Sequence, residues 1–180
     1  QVIVYDNNGF FAAARVWWMF RVYGHDHVAV LNGGLARWLQ LSLPVTARVD
    51  QPTPKHFISR FRPELFCDLT QMQQIVQSRS HLIIDARSPE TYQKEHIPGA
   101  INIPHRKMSE ETTKHLDRAA MVVTYCDGIG CNASTKGALN MAKLGFRVKE
   151  LIGGLDWWKR DGHKTEGSAV DAKDAACGCD

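Results

Sequence analysis

TYCDGIGCNAS (residues 124–134) places a cysteine where an apolar run gives way to two glycines, with a second cysteine five positions on. Upstream, MVVTY (121–125) has the β-branched and aromatic make-up of a buried strand. Downstream, STKGALNMAKLGF (134–146) carries Ala138, Leu139, Ala142 and Leu144 at near-helical spacing. Cys126 therefore falls at a strand-to-helix turn, the unit from which a doubly wound α/β sheet is built. Such a turn aims free backbone N–H groups and the positive end of a helix at one small volume, which favours an anion and lowers a thiol pKa. The competing reading is a cysteine packed as a small hydrophobe. Gly128 and Gly130 argue against it, because a loop whose backbone closely approaches a ligand needs glycine and a core does not.

The rest of the chain narrows the function classes. Its 180 residues, 44% hydrophobic, suffice for one large domain or one and a half small ones. A net charge of +3 with acidic residues scattered among the basic ones leaves no basic stripe for nucleic acid or an anionic membrane. No run approaches the roughly 18 apolar residues of a membrane span, and residue 1 is not followed by the charged and apolar segments of a leader. Five cysteines, odd in number and irregular in spacing, do not read as a disulfide framework, so a reducing, cytoplasmic setting is expected. The histidines show no ligand spacing with cysteine or acid; no metal and no cofactor is expected.

The chain also resembles itself. VIVYD (2–6) matches VVTYC (122–126), and NGGLARW (32–38) matches IGGLDWW (152–158). Between them, glycines at 24 and 145 end an amphipathic helix before a short strand, with a one-residue slip. A spacing this long implies duplicated domains rather than a solenoid, whose units run about 20 to 50 residues. The second copy is preceded by LTQMQQIVQ (69–77), HLIIDARS (81–88) and INIP (101–104), which have no counterpart before the first. The expected layout is a partial, inactive repeat over 1–45, an extended linker over 46–63, a full domain over 64–164 and a disordered tail over 165–180. Half a sheet exposes an open edge, so the partial repeat should pack on the second domain or on another copy in a homodimer, or be poorly stable.

These motifs together resemble the rhodanese, or sulfurtransferase, superfamily. The resemblance rests on DARSPETYQKEHIPGAINIP (85–104), the cysteine loop, LGFRVKELIGG (144–154) and the closing Trp157–Trp158 pair, in the family's order over about 100 residues. The N-terminal YDNNGFFAAARVWWMFRVYGHDHVAVLNGG (5–34) looks like the later half of the inactive first domain of tandem thiosulfate or mercaptopyruvate sulfurtransferases, with Asp6 aligned to Cys126. The resemblance implies a five-stranded, mainly parallel sheet flanked by helices. It also implies a Cys126 nucleophile that takes the sulfane sulfur of a small anionic donor such as thiosulfate, carries it as a persulfide, and yields it to a thiol or cyanide acceptor. The amides of Asp127, Gly128, Ile129, Gly130, Cys131, Asn132 and Ala133 would cradle the anion.

The loop departs from the family pattern. Counting back from LGF, Ser134 matches the serine that opens the helix, so the loop is about two residues longer than usual, and it contains no arginine. Related phosphatases and arsenate reductases use widened loops but clamp their oxyanion with arginine. That chemistry would need a cation from elsewhere, such as Arg106 or Lys136, and Asp127 adds charge of the wrong sign. Cys131 reads either as a resolving thiol for Cys126 or as an inert packing residue. The absent arginine keeps open a persulfide-binding or redox-sensing module of low turnover. Asp85 and Arg87, at the end of a strand, are expected as a supporting ion pair, His96 as a turn residue, and Trp17, Trp18, Trp157 and Trp158 as core or lid aromatics. Cys67 is expected to be buried, and Cys177 and Cys179 to be incidental to a mobile tail.

Overall fold

β6, Met121–Tyr125, lies at the centre of a parallel sheet because its residues suit burial on both faces: Val122, Val123, Thr124 and Tyr125 are all inaccessible to solvent. The computed structural model describes residues 1–7 and 12–169. Within them the chain forms two units, dividing between Pro63 and Glu64.

The larger unit begins with β3 (Phe66–Cys67) and α3 (Leu69–Ser78), followed by β4 (Leu82–Asp85), α4 (Pro89–Lys94), β5 (Ile101–Asn102) and α5 (Glu110–Thr113). After β6 come α6 (Ala133–Lys143), β7 (Arg147–Leu151) and α7 (Gly154–Arg160). The sheet order is β3-β7-β6-β4-β5, every neighbour parallel. Local chemistry sets the helix ends. Asp68 accepts the N–H of Gln71 to cap α3, and Ser88 accepts that of Thr91 to cap α4, which has Pro89 in its first turn.

The period-two alternation of the strands divides the core between the two faces of the sheet. Ile83, Val123 and Tyr125 pack with Met72 and Ile75 of α3 and with Leu155 and Trp158 of α7. Ile84 and Val122 pack with Met141 of α6, Phe146 and Leu116. Each such side chain contributes about 1.5–3 kcal/mol on full burial. The result is the doubly wound five-stranded sheet expected from the sequence. Its chain order reverses between β4 and β6, so the carboxyl ends of these two strands, where Asp85 is in register with Tyr125, border the crevice that such folds use for ligands.

The smaller unit contains β1 (Val2–Val4), α1 (Ala13–Val22), β2 (Val28–Val30) and α2 (Gly34–Gln40). β1 and β2 form a two-stranded parallel sheet, with Ile3 and Tyr5 more than half exposed. Residues 46–59 form no helix or strand. Arg60 and Arg62 donate backbone N–H groups to Tyr23 and Val22 at the end of α1, and Arg62 forms a two-point ion pair with Asp26. The start of the tail is tied down as well. Glu166 exchanges backbone hydrogen bonds of 2.8 and 2.9 Å with His96, and Thr165 donates to Glu95, so the expected disorder does not begin at 165. Residues 170–180, including Cys177 and Cys179, lie outside the described residues. No described helix is long and apolar enough to cross a membrane.

Candidate active site

Cys126 follows the last residue of β6, with 1% of its surface exposed. Its carbonyl accepts the N–H of Leu155 at 2.9 Å, and the Asp127 carbonyl accepts that of Asp156 at 2.7 Å, so the first turn of α7 holds the base of the loop. Gly154 permits this approach: its φ is +52°, and a Cβ there would collide with the Cys126 carbonyl. At Gly128 a Cβ would meet the carboxylate of Asp156, an exposed side chain that can turn aside, and at Gly130 it would meet open space. The close backbone approach that requires glycine is therefore at Gly154 rather than at Gly128 or Gly130.

The Cys126 Sγ lies 3.0 Å from the Ser134 hydroxyl, 3.5 Å from the Cys131 carbonyl and 3.9 Å from the Gly128 carbonyl. Ser134 in turn donates to Glu150 Oε1 at 2.9 Å, as does Thr135 at the same distance. Ser134 and Glu150 are each 2% exposed. Glu150 thus fixes the Ser134 hydroxyl against the sulfur. Sequence reasoning missed it; the available signal was one acidic residue inside the otherwise apolar end of VKELI (148–152).

The amide cradle is only partly free. Cys131 donates its own N–H to the Gly128 carbonyl at 3.0 Å, closing a turn that folds it back over Cys126. The Ala133 N–H reaches the Cys131 sulfur at 3.5 Å, and the Asp127 N–H is directed to the same atom. Both cysteines are free thiols, and Cys131 packs against Cys126 in a small cluster with Ala86 and Ala133. The Cys126 hydrogen bond holds the Cys131 thiol down to about 6; burial opposes it and the N–H groups of Ala133 and Asp127 assist. The same hydrogen bond, reinforced by burial, pushes the Cys126 thiol up. The sequence expectation assigned the lowered pKa to Cys126. In the folded loop the lowering falls on Cys131, which is favoured by Cys126 and by the N–H groups of Ala133 and Asp127, while the same partner and burial push Cys126 up.

Asp85 and Arg87 form a buried ion pair, with Arg87 Nε and Nη2 2.7–3.1 Å from the Asp85 carboxylate. Arg87 Nη2 also donates to the Glu95 carbonyl at 2.7 Å and Nη1 to Asp127 Oδ1 at 2.8 Å. The charge of Asp127 is therefore paired, although it still opposes an anion at Cys131 as expected, and the guanidinium clamps the loop to the end of β4. Ile129 and Gly130 form the exposed tip, and Asn132 precedes α6 without a side-chain capping bond. Arg106 and Lys136 are exposed, and no contact joins either to the cysteine pair.

The remaining candidates have packing roles. His96 stacks on Tyr92 at 3.9 Å and bonds its carbonyl, Trp158 donates to the Lys164 carbonyl, and Trp17 donates to that of Val28. Cys67 is fully buried, and burial pushes its thiol up to about 12. Among the described residues no group of three or more His, Cys, Asp and Glu is arranged to hold a metal.

Comparison with known proteins agrees with this architecture. Residues 68–161 match the family described as Rhodanese-like domain. The chain is similar to human 3-mercaptopyruvate sulfurtransferase, 34% identical over 117 residues covering 58% of this chain and 39% of the relative. It is 38% identical over 115 residues to thiosulfate sulfurtransferase of Gallus gallus, covering 58% and 40%. The chain thus spans about two fifths of the length of these relatives. Among solved structures, the Escherichia coli 3-mercaptopyruvate sulfotransferase aligns with a TM-score of 0.66 and 28% identity over 84% of this chain and 65% of that one. A Bacillus halodurans protein aligns with a TM-score of 0.58 and 39% identity over 59% and 79%.

Proposed function

Because the chain belongs to the rhodanese-like domain family, we propose that residues 64–164 are a sulfurtransferase domain acting on thiosulfate or mercaptopyruvate through a persulfide on Cys126. The observation that carries the reading is the position of Cys126 at the carboxyl end of the central strand, beside the crevice and 3.0 Å from a hydroxyl oriented by a buried carboxylate. The Cys126 sulfur attacks the outer sulfur of the donor, and sulfite or pyruvate leaves with the electron pair of the broken bond. A thiol or cyanide then removes the sulfane sulfur. Ser134 can turn its hydroxyl from Glu150 to the Cys126 sulfur and donate a hydrogen bond to the thiolate, while the thiol proton leaves with the product anion. Residues 1–45 correspond to the later half of a second repeat, with Asp6 in the position of the nucleophile, and a cytoplasmic setting suits the free thiols.

A low-turnover persulfide-binding module is the second reading. It is favoured by the commitment of the Arg87 guanidinium to Asp85, Asp127 and Glu95, and of two loop amides to Cys131. Sulfite release from thiosulfate and pyruvate release from mercaptopyruvate, measured with a dithiol acceptor, separate the two. Sustained release that disappears in Cys126→Ser is expected. A single stoichiometric burst identifies the module, and release that persists in Cys126→Ser removes Cys126 from both.

A further inference from the structure

The loop holds two thiols, and the second has no part in taking sulfur from a donor. Cys131 is half-buried and packs against Cys126, Ala86 and Ala133, with its own carbonyl 3.5 Å from the Cys126 sulfur. The turn closed by the Cys131 N–H on the Gly128 carbonyl sets this contact, so the pair meets before any ligand arrives. Once Cys126 carries an extra sulfur, the atom Cys131 already touches is the inner one. The outer sulfur must extend elsewhere, and the loop tip at Ile129 and Gly130 is the exposed side.

We propose that Cys131 resolves the Cys126 persulfide within the loop, forming a Cys126–Cys131 disulfide and releasing the sulfane sulfur as hydrosulfide. The step rests on the sulfurtransferase reading and adds an activity to it. The Cys131 thiolate attacks the Cys126 Sγ, a new sulfur–sulfur bond forms, and the bond to the outer sulfur breaks with its electron pair on the departing HS⁻. The two cysteines lose two electrons and the sulfane sulfur gains two, so the persulfide is itself the oxidant. Over both steps, two thiols and thiosulfate give a disulfide, hydrosulfide and hydrogen sulfite. A dithiol reductant then restores the loop by exchange. The chemistry suits the geometry: Cys131 is held as thiolate near neutral pH by the bonds already described, and hydrosulfide is a good leaving group because its conjugate acid, hydrogen sulfide, is more acidic than an ordinary thiol. A five-residue spacing folded back on itself also brings the backbone positions toward the roughly 4.4–6.8 Å Cα separation of a disulfide.

The test uses the full chain, reduced, desalted and kept anaerobic, with thiosulfate as the donor. Intact mass, peptide mapping of residues 126–131 and sulfide release are measured together. Wild type should lose about 2 Da in that peptide and release about one sulfide per chain, while Cys131→Ser should gain about 32 Da on Cys126 and release none. A sample without thiosulfate should keep both thiols. A wild-type chain that retains the added sulfur on Cys126, or shows it on Cys131, overturns the resolving step and leaves the sulfurtransferase reading intact. If Cys131→Ser gains no sulfur from thiosulfate or mercaptopyruvate, the parent reading fails and the resolving step fails with it.

Discussion

Two loops in this protein leave a parallel strand and enter a helix, one at Asp6 and one at Cys126, and they occupy the first N–H groups of that helix differently. Their surroundings match closely. Val2 pairs with Val28 in the first unit and, 120 residues further on, Val122 pairs with Val148 in the second. Leu35 donates to the Asp6 carbonyl as Leu155 donates to that of Cys126, and the glycine pairs Gly33–Gly34 and Gly153–Gly154 share left-handed φ values of 83° and 57° against 80° and 52°. Even the tryptophans correspond, Trp38 donating to the Pro44 carbonyl and Trp158 to that of Lys164. In the first loop, however, the Asp6 carboxylate accepts the N–H groups of Ala12 and Ala13 at 3.0 and 2.9 Å, filling the anion position with a fixed charge. In the second, the Ala133 N–H at the start of the helix meets the Cys131 sulfur at 3.5 Å, an atom that can exchange a proton or a sulfur atom. The frame is common to both, and the chemistry depends on what stands at the end of the strand.

The largest expected effect comes from making the second loop as inert as the first. Cys126→Ser should lower donor cleavage by on the order of 10³-fold or more while leaving the melting temperature within a few degrees, measured by sulfite release and thermal unfolding. Next is the Arg87 clamp on the second loop. Arg87→Ala leaves Asp85, fully buried, without its cation and should cost about 3–5 kcal/mol in urea unfolding, whereas Asp127→Asn, at an exposed carboxylate, should cost well under that.

The third prediction concerns protons. Alkylation of Cys131 should increase as pH rises through about 6, because its thiolate is favoured by Cys126 and by two N–H groups against the opposing charge of Asp127. In Cys126→Ala the midpoint should move up toward the ordinary thiol value, since the largest stabilising partner is gone. A midpoint unchanged by that substitution would show that the amides alone hold the thiolate. The smallest effect tests the first loop: Asp6→Ala removes the acceptor for two helix N–H groups and should cost about 1 kcal/mol, with donor cleavage unaffected.

Much of the fold was legible because its signals are local. MVVTY read as a buried strand, and the matched VIVYD and VVTYC segments disclosed the equivalent strands before any coordinates. The ordered start of the tail was not legible, because its support is the backbone of His96, about 70 residues away in sequence. Glu150 was missed for a related reason: an acid inside a strand looks like a solvent-facing residue until the hydroxyls of Ser134 and Thr135 are brought over it.

By itself, the sequence determined the parallel α/β architecture, the strand-to-helix turn at Cys126 and the presence of a second thiol five residues on. These follow from composition and spacing along one stretch of chain. Tertiary structure decided how the charge is shared. It paired Asp127 with Arg87, turned the carbonyls of Gly128 and Cys131 toward Cys126, and gave the Ala133 N–H at the start of α6 to Cys131. Which thiol carries the proton depends on the orientation of dipoles within a few ångströms, and that orientation exists only once the loop is folded between β6, α6 and α7.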